Sequence, residues 1–212
     1  MLKVLFFFLL FYLTKTNLYS QSITIDYNSI GFIVLDDTIY NGSGFNLLKP
    51  NYIVTCAHVI DTTKKISFIA LHADKPFYLK LIKYDFDNDL ALLESSDSIC
   101  TRPLQAEPKF NVYPAQHLFY VGYNIMKSSE RKKTLQVNNA FVSAIGKTIF
   151  SKSIVDFIEF RGVGIPGYSG GPVFNDKGKV VGVMHEAWLK QGIKGGNDEL
   201  INRAFSITPI LK

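Results

Sequence analysis

One stretch of this sequence decides how the rest is interpreted: Gly164-Ile165-Pro166-Gly167-Tyr168-Ser169-Gly170-Gly171-Pro172-Val173. A serine attacks a carbonyl only when a base removes its proton and main-chain N–H groups receive the developing negative charge. Glycines on both sides of Ser169 let the chain turn sharply and bring such N–H groups close to the hydroxyl. An ordinary Gly/Pro/Ser loop is the alternative, but strand-like segments follow at once, at Val173–Phe174 and Val180–Met184. The stretch therefore predicts a nucleophilic serine in a tight turn that leads into a β-strand.

The remainder of the chain consists of short segments rich in Val, Ile, Phe and Tyr, separated by turn signals such as Asn41-Gly42 and Asn175–Gly178. No long window has the 3.6-residue apolar periodicity of a helix, so helices should be few and short. This pattern predicts an all-β fold, a sandwich or a barrel. Three prolines between Cys100 and Pro114 interrupt the strand pattern. We place the boundary between two similar halves there, with one half at about 21–105 and the other at about 106–212.

A histidine ends the strand-like run that begins at Tyr52, in the sequence Thr55-Cys56-Ala57-His58-Val59. Imidazole is the side chain best suited to accept and return a proton near neutral pH. A single histidine at such a position is more often structural. The assignment of His58 as a base therefore depends on its partners.

An aspartate, Asp89, immediately precedes the apolar run Leu90–Leu93. A carboxylate at the start of a buried strand can accept the ring N–H of a histidine, which fixes the tautomer and stabilises the imidazolium. The alternative is a turn aspartate that accepts hydrogen bonds from nearby main-chain amides. Asp85 and Asp87 fit that alternative better than Asp89, because they lie inside the turn.

Taken together, the segments Thr55–Val59, Asn88–Leu93 and Gly167–Val173 resemble, in order and spacing, the three active-site blocks of trypsin-like serine proteases. The similarity is greatest to the compact bacterial and HtrA-like branch and spans about residues 31–212. It implies two antiparallel six-stranded β-barrels, chymotrypsin-like, with the active site in the cleft between them. His58 and Asp89 would come from the first barrel and Ser169 from the second.

The resemblance also implies a role for each matching residue. Ser169 corresponds to the nucleophile, His58 to the general base and acid, and Asp89 to the orienting carboxylate of a serine endopeptidase. The main-chain N–H groups of Gly167 and Ser169 correspond to the oxyanion hole. Substrate would add as an extended strand near Ala204–Ile207. The residues expected to contact substrate are Val163, Gly164, Ile165, Ala204, Phe205 and Ser206.

The sequence departs from the digestive trypsin-like enzymes at Tyr168, where those enzymes carry an aspartate that pairs with the new N-terminus after activation. Activation by that salt bridge is therefore not expected. Because Val163–Ile165 contains no acid, a P1 residue that is apolar or small is favoured over a basic one. HtrA-type proteins usually continue into PDZ domains, and a sequence that stops at Lys212 predicts no such module.

Two other functions remain open at this point. A protease fold that has lost turnover would act as a binding module, since fold does not fix function. The segment Gly167–Gly171 also satisfies the G-x-S-x-G pattern of α/β-hydrolases, which include esterases. That fold requires a helix after the serine and an acid and a histidine well downstream. Pro172, the strand pattern after it and the short remaining chain argue against this second alternative.

The N-terminus predicts export. Lys3 is followed by ten apolar residues, Val4–Leu13, and by a polar stretch that ends at Ser20, which is the organisation of a secretory signal peptide. A bilayer-spanning helix needs about 20 apolar residues. We therefore expect residues 1–20 to be a signal peptide and residues 21–212 to be a periplasmic or extracellular domain without a membrane span.

Composition limits the partners. The net charge is +5 and the basic residues are scattered, with Arg131–Lys133 as a single cluster, so a protein or peptide substrate is expected and nucleic acid is not. The two cysteines, Cys56 and Cys100, are not spaced as metal ligands, and no metal or other cofactor is expected; whether they pair is left open. Of the remaining histidines, His72 and His117 are interpreted as structural or surface residues, and His185 is left unassigned.

Overall fold

The computed structural model describes residues 24–71, 73–124, 134–190 and 198–212. The predicted signal peptide, His72 and the cluster Arg131–Lys133 lie outside these residues. Within them the chain forms strands joined by loops and short 3-10 turns. The strands are β1 (Ile30–Leu35), β2 (Ile39–Asn46), β3 (Tyr52–Thr55), β4 (Ile66–Ala70), β5 (Phe77–Asp85), β6 (Leu90–Ser95), β7 (His117–Asn124), β8 (Thr134–Phe150), β9 (Ser153–Arg161), β10 (Pro172–Asn175), β11 (Val180–Lys190) and β12 (Glu199–Ser206).

The strands close into two barrels. The first follows the order β1-β2-β3-β6-β5-β4 and the second the order β10-β11-β12-β9-β8-β7. Every pair of neighbouring strands is antiparallel. The all-β, two-barrel prediction is confirmed, and the α/β-hydrolase alternative is excluded because the serine loop leads into β10 of a barrel and not into a helix. The expected boundary near residue 105 falls in the connection between β6 and β7.

Strand β1 explains why the two barrels pack together. All six of its residues, Ile30–Leu35, are buried, which is possible only when both faces of the strand are covered. One face fills the first barrel, and on the other the ring of Phe32 stacks on Tyr123 of β7, with ring centroids 3.8 Å apart. Burial of each such side chain stabilises the fold by about 1.5–3 kcal/mol. Apolar residues on both sides of one strand thus create the junction in which the site lies.

A serine of the first barrel, Ser43 in β2, joins that barrel to the loop that carries Ser169. Its hydroxyl donates to the carbonyl oxygen of Gly167 at 2.6 Å and accepts from the main-chain N–H of Tyr123 at 3.0 Å. Its own main-chain N–H donates to the carbonyl oxygen of Ser169 at 2.8 Å. A Cβ atom on the neighbouring Gly42 would lie only 2.8 Å from that same oxygen. The chain approaches this closely because residue 42 has no side chain.

No helix among the described residues is long and apolar enough to cross a bilayer.

Candidate active site

The first part of the site is a histidine–aspartate pair at the ends of two neighbouring strands. His58 lies in a 3-10 turn directly after β3, and Asp89 lies directly before β6. These strands are paired, with Thr55 opposite Ala91, so their ends meet. The main-chain N–H of His58 donates to Oδ1 of Asp89 at 2.9 Å, and its ring Nδ1 lies 2.8 Å from Oδ2. Both carboxylate oxygens of Asp89 therefore hold the same histidine.

The pair combines a buried acid with an accessible base. The side chain of Asp89 is 2% exposed and that of His58 is 43% exposed. Burial by itself raises the pKa of Asp89, but hydrogen bonds from His185 and His58 outweigh it and hold that pKa well below its usual range. An ionised Asp89 keeps the proton of His58 on Nδ1 and leaves Nε2 free to accept another.

A second histidine, His185 in β11, binds the same carboxylate. Its Nδ1 lies 2.6 Å from Oδ2 of Asp89, and its side chain is 11% exposed. The ring stacks on Phe205 at a centroid distance of 4.0 Å and meets Phe150 edge to face. The sequence did not reveal this contact, because the two residues are 96 positions apart and only the packing of one barrel on the other brings them together.

The predicted nucleophile lies next to His185, and within the described residues no hydrogen bond joins Ser169 to His58. Ser169 Oγ donates to the main-chain carbonyl oxygen of His185 at 3.1 Å. The chain on either side has positive φ angles, 102° at Gly167 and 85° at Gly170, which side chains other than hydrogen strongly disfavour. A Cβ atom on Gly170 would also lie 2.1 Å from the carbonyl oxygen of Ser43. The glycines predicted to permit a sharp turn therefore have that role.

Two main-chain donors, one of them the N–H of the serine itself, lie at the turn that carries Ser169. Within the part of the chain that the structure describes, the N–H groups of Gly167 and Ser169 have no acceptor, whereas the N–H of Tyr168 between them donates to Ile165. Unpaired N–H groups next to a nucleophile are the structural requirement for an oxyanion hole.

Tyr168 anchors the serine loop to the second barrel. Its side chain is buried, and its hydroxyl hydrogen-bonds to Gln136 and to Asn138 of β8, the latter at 3.1 Å. Burial raises the pKa of the phenol, so it remains a neutral donor. The ring packs on Gly122, where a Cβ atom would lie 2.8 Å from it. At the position where digestive enzymes use an aspartate, this chain uses a buried tyrosine.

A small cavity of about 30 Å³ opens beside Ser169, lined by Gly164 and Ile165 and by Met184–Ala187 of β11. Behind Gly164, one of the lining residues, lies Asn202 of β12, which is fully buried. A Cβ atom on Gly164 would lie 2.2 Å from Oδ1 of Asn202 and 2.4 Å from Cβ of Ala187. The amide N and O of Asn202 both lack a hydrogen-bond partner within the described residues. Gly164 and Ile165, two of the residues predicted to contact substrate, line this cavity, while Val163 is half exposed and does not line it.

The other predicted substrate segment occupies a different environment. Strand β12 is paired on both edges, with Ala204 opposite Met184 on one side and Ile158 on the other. Phe205 is paired in the same way, and Ser206 is buried with its hydroxyl near Thr208. The expectation that substrate adds beside Ala204–Ser206 does not fit this geometry, because no free main-chain groups remain there.

Strand β11 offers the free edge instead. Among the described residues, β11 is paired from Glu186 onward with β12 alone, since its ladder with β10 ends at Val183. The free edge begins beside Ser169, whose hydroxyl already contacts the carbonyl oxygen of His185.

Comparison with known proteins agrees with this geometry. Residues 42–183 match the family described as the trypsin-like peptidase domain. The chain belongs to the trypsin-like peptidase family. Among its relatives in that family are a probable periplasmic serine endoprotease DegP-like of Hahella chejuensis, 31% identical over 152 residues, and one of Marinomonas sp., 32% identical over 152 residues. Both alignments cover 71% of this chain and 30% of the relative, so the chain spans about a third of the length of these relatives.

A third relative, the serine protease Do-like HtrA of Bacillus subtilis, is 27% identical over 189 residues, which cover 85% of this chain and 41% of that protein. Among solved structures, the active form of the Rv3671c protease of M. tuberculosis has a TM-score of 0.67 at 19% identity, covering 87% of this chain and 78% of that one. The HtrA-type protease AlgW with a tripeptide has a TM-score of 0.69 at 18% identity, covering 87% and 58%. These likenesses establish the trypsin-like fold, and the predicted resemblance to the HtrA-like branch is confirmed.

Proposed function

We propose that this trypsin-like peptidase domain is a serine endopeptidase that cleaves peptide bonds through an acyl-enzyme, with Ser169 as nucleophile, His58 as base and Asp89 as the orienting carboxylate. The observation that carries the proposal is the pair of hydrogen bonds, at 2.8 and 2.9 Å, from His58 to the two carboxylate oxygens of Asp89. These hydrogen bonds matter because they leave Nε2 of an accessible imidazole as the free proton acceptor. The unpaired N–H groups of Gly167 and Ser169 complete the requirements for acyl transfer.

The reaction begins when the hydroxyl of Ser169 turns from the carbonyl oxygen of His185 towards His58. As Oγ attacks the substrate carbonyl, Nε2 of His58 takes its proton, and ionised Asp89 stabilises the imidazolium. The N–H groups of Gly167 and Ser169 receive the oxyanion. The imidazolium then protonates the leaving amine, and a water molecule, activated by the same base, hydrolyses the ester on Ser169.

Substrate binds, in this proposal, as an extended strand along the free edge of β11 at His185–Ala187. Main-chain hydrogen bonds give such a mode affinity without regard to sequence, and pockets give it specificity. The cavity beside Ser169 is about 30 Å³, which is room for about two water-sized groups. A cavity of this size favours a small P1 residue, such as alanine or glycine, over a long basic one.

The domain acts, in the same proposal, outside the cytoplasm after removal of residues 1–20 as a signal peptide. The apolar run Val4–Leu13 supports this, as does the word periplasmic in the names of the two DegP-like relatives.

A fluorophosphonate probe tests the proposal directly. We expect the purified domain, residues 21–212, to be labelled on Ser169 and to cleave a denatured protein mixture after small residues, while the Ser169→Ala variant does neither. The alternative is a silent binding module, in which the contact between Ser169 and the carbonyl of His185 is permanent. A folded wild-type domain that neither reacts with the probe nor cleaves any protein in the mixture would establish that alternative.

A further inference from the structure

Four potential metal ligands from three separate parts of the chain lie close together, and the proposed catalytic histidine is one of them. They are Cys56, His58, Asp89 and His185, and one ligand atom from each lies within 4.8 Å of every other. Cys56 is fully buried, and its Sγ contacts the carbonyl oxygen of Met184 at 3.1 Å. Asp89 is buried too, whereas the side chain of His58 is partly exposed to solvent. The sequence predicted no metal site, because only the fold brings these four residues together.

The donors and their spacing suit zinc. A thiolate, imidazole nitrogens and a carboxylate oxygen are the ligands of Zn²⁺ in proteins, at about 2.3 Å for sulfur and about 2.0–2.2 Å for nitrogen and oxygen. Tetrahedral bonds of these lengths separate the ligand atoms by about 3.3–3.7 Å. For zinc to bind, the distances from Oδ2 of Asp89 to Nδ1 of His185 and of His58, now 2.6 and 2.8 Å, must increase by less than about 1 Å. The longest distances between ligand atoms, up to 4.8 Å, must decrease by a similar amount.

We propose that Cys56, His58, Asp89 and His185 form a binding site for Zn²⁺ that takes the catalytic histidine out of the reaction and so inhibits the peptidase reversibly. The binding is independent of the proposed peptidase function, and only the inhibition rests on it.

The charges of the four side chains favour a divalent cation. Zinc binds the thiolate of Cys56, the carboxylate of Asp89 and the neutral form of each imidazole. On binding, the thiol releases its proton to solvent, and each imidazole moves its proton from Nδ1 to Nε2 without net loss. The bound ion then faces one thiolate and one carboxylate, so the buried site becomes electrically neutral. A thiol that coordinates a divalent cation is deprotonated outright, so binding accounts for the loss of the Cys56 proton.

Inhibition follows from the tautomer. A metal on Nδ1 of His58 requires the proton to be on Nε2, the atom that faces the cleft. That nitrogen can then donate but not accept, so it cannot take the proton of Ser169. The ion also displaces His58 from the Asp89 oxygen that would stabilise the imidazolium.

Binding is tested first in the Ser169→Ala domain, where catalysis plays no part. Titration calorimetry with zinc chloride should give one ion per chain. Replacing the same protein's Cys56 by serine should weaken the affinity at least tenfold, and Cys100→Ser, the matched control, should leave it unchanged. Cobalt(II) added to the Ser169→Ala/Cys100→Ser protein should produce thiolate-to-metal charge-transfer absorption. This last measurement keeps the test decisive if Cys56→Ser fails to fold. Absence of that absorption, or of stoichiometric binding, overturns the site.

Inhibition is tested second. Zinc should abolish peptide cleavage by the wild-type domain, and EDTA should restore it. Cys56→Ser, assayed where it is folded, should retain cleavage in EDTA and require at least tenfold more zinc for half inhibition. Stoichiometric, Cys56-dependent zinc binding by a domain that cleaves nothing would refute the proposed function and leave the metal site intact. Full activity with zinc bound would overturn the inhibitory role.

Discussion

His185 and His58 share one acceptor: Nδ1 of each lies within 2.8 Å of Oδ2 of Asp89. The carboxylate is buried, so each N–H that it accepts helps to keep it ionised. His58 carries out the chemistry in the proposed mechanism, whereas His185 touches no reacting atom with its side chain. His185 is therefore a positioning residue that fixes the carboxylate on which His58 depends.

Replacing His185 by phenylalanine should lower kcat by about 10- to 100-fold, because a hydrogen bond to a charged group contributes about 1.5–3 kcal/mol. Phenylalanine preserves the stacking on Phe205, so the fold and KM should change little. Steady-state kinetics with a peptide substrate measure the split, and His185→Asn, which can still donate to Asp89, should recover part of the loss. Equal kcat values for the wild type and His185→Phe would remove His185 from the mechanism.

Asp89→Asn should lower kcat by about 10⁴-fold, since an amide can no longer hold His58 in the productive tautomer. Asp87→Asn is the matched control, because Asp87 lies two residues away and accepts a hydrogen bond from Ser151 instead of a histidine. The two variants should be compared at saturating substrate with circular dichroism as the check of folding. A loss of similar size in both would point to the loop and not to the carboxylate.

Tyr168→Phe should loosen the serine loop while leaving its packing on Gly122 unchanged. The missing hydroxyl leaves Gln136 and Asn138 without their partner, which costs about 1–3 kcal/mol where such groups are buried. We expect slower labelling of Ser169 by a fluorophosphonate and a lower midpoint in urea denaturation. Tyr113→Phe, at an exposed tyrosine, serves as the control. Unchanged labelling of Tyr168→Phe would show that the loop holds its shape without this anchor.

Local sequence motifs could be located from the sequence, whereas contacts between distant segments could not. The blocks around His58, Asp89 and Ser169 could be located because each needs a local pattern: a strand end, a turn before an apolar run, or glycines at positive φ. His185 and Asn202 carry no such pattern, since the contacts that they make, with Asp89 and Gly164, are with residues distant in the sequence. The expectation of a free edge at Ala204–Ser206 does not fit the strand pairing for the same reason. Which strand edges are covered depends on the pairing of β12 with both β9 and β11, and a single strand contains no information about its neighbours.

Asn202 lies directly behind Gly164, which lines the cavity beside Ser169, and we expect Asn202→Ala to relax the proposed restriction on the P1 residue. The amide has no hydrogen-bond partner among the described residues, so removing it forfeits no bond, and the fold should remain close to wild-type stability. The cavity beside Ser169 should grow towards β12 and admit leucine or phenylalanine at P1. Profiling with a peptide library should therefore reveal an increase in kcat/KM for these residues relative to alanine. Asn111→Ala, at an exposed asparagine, controls for the substitution itself. If Asn202→Ala kept the wild-type preference for small residues, the limit would lie in Ile165 or Met184, which line the same cavity.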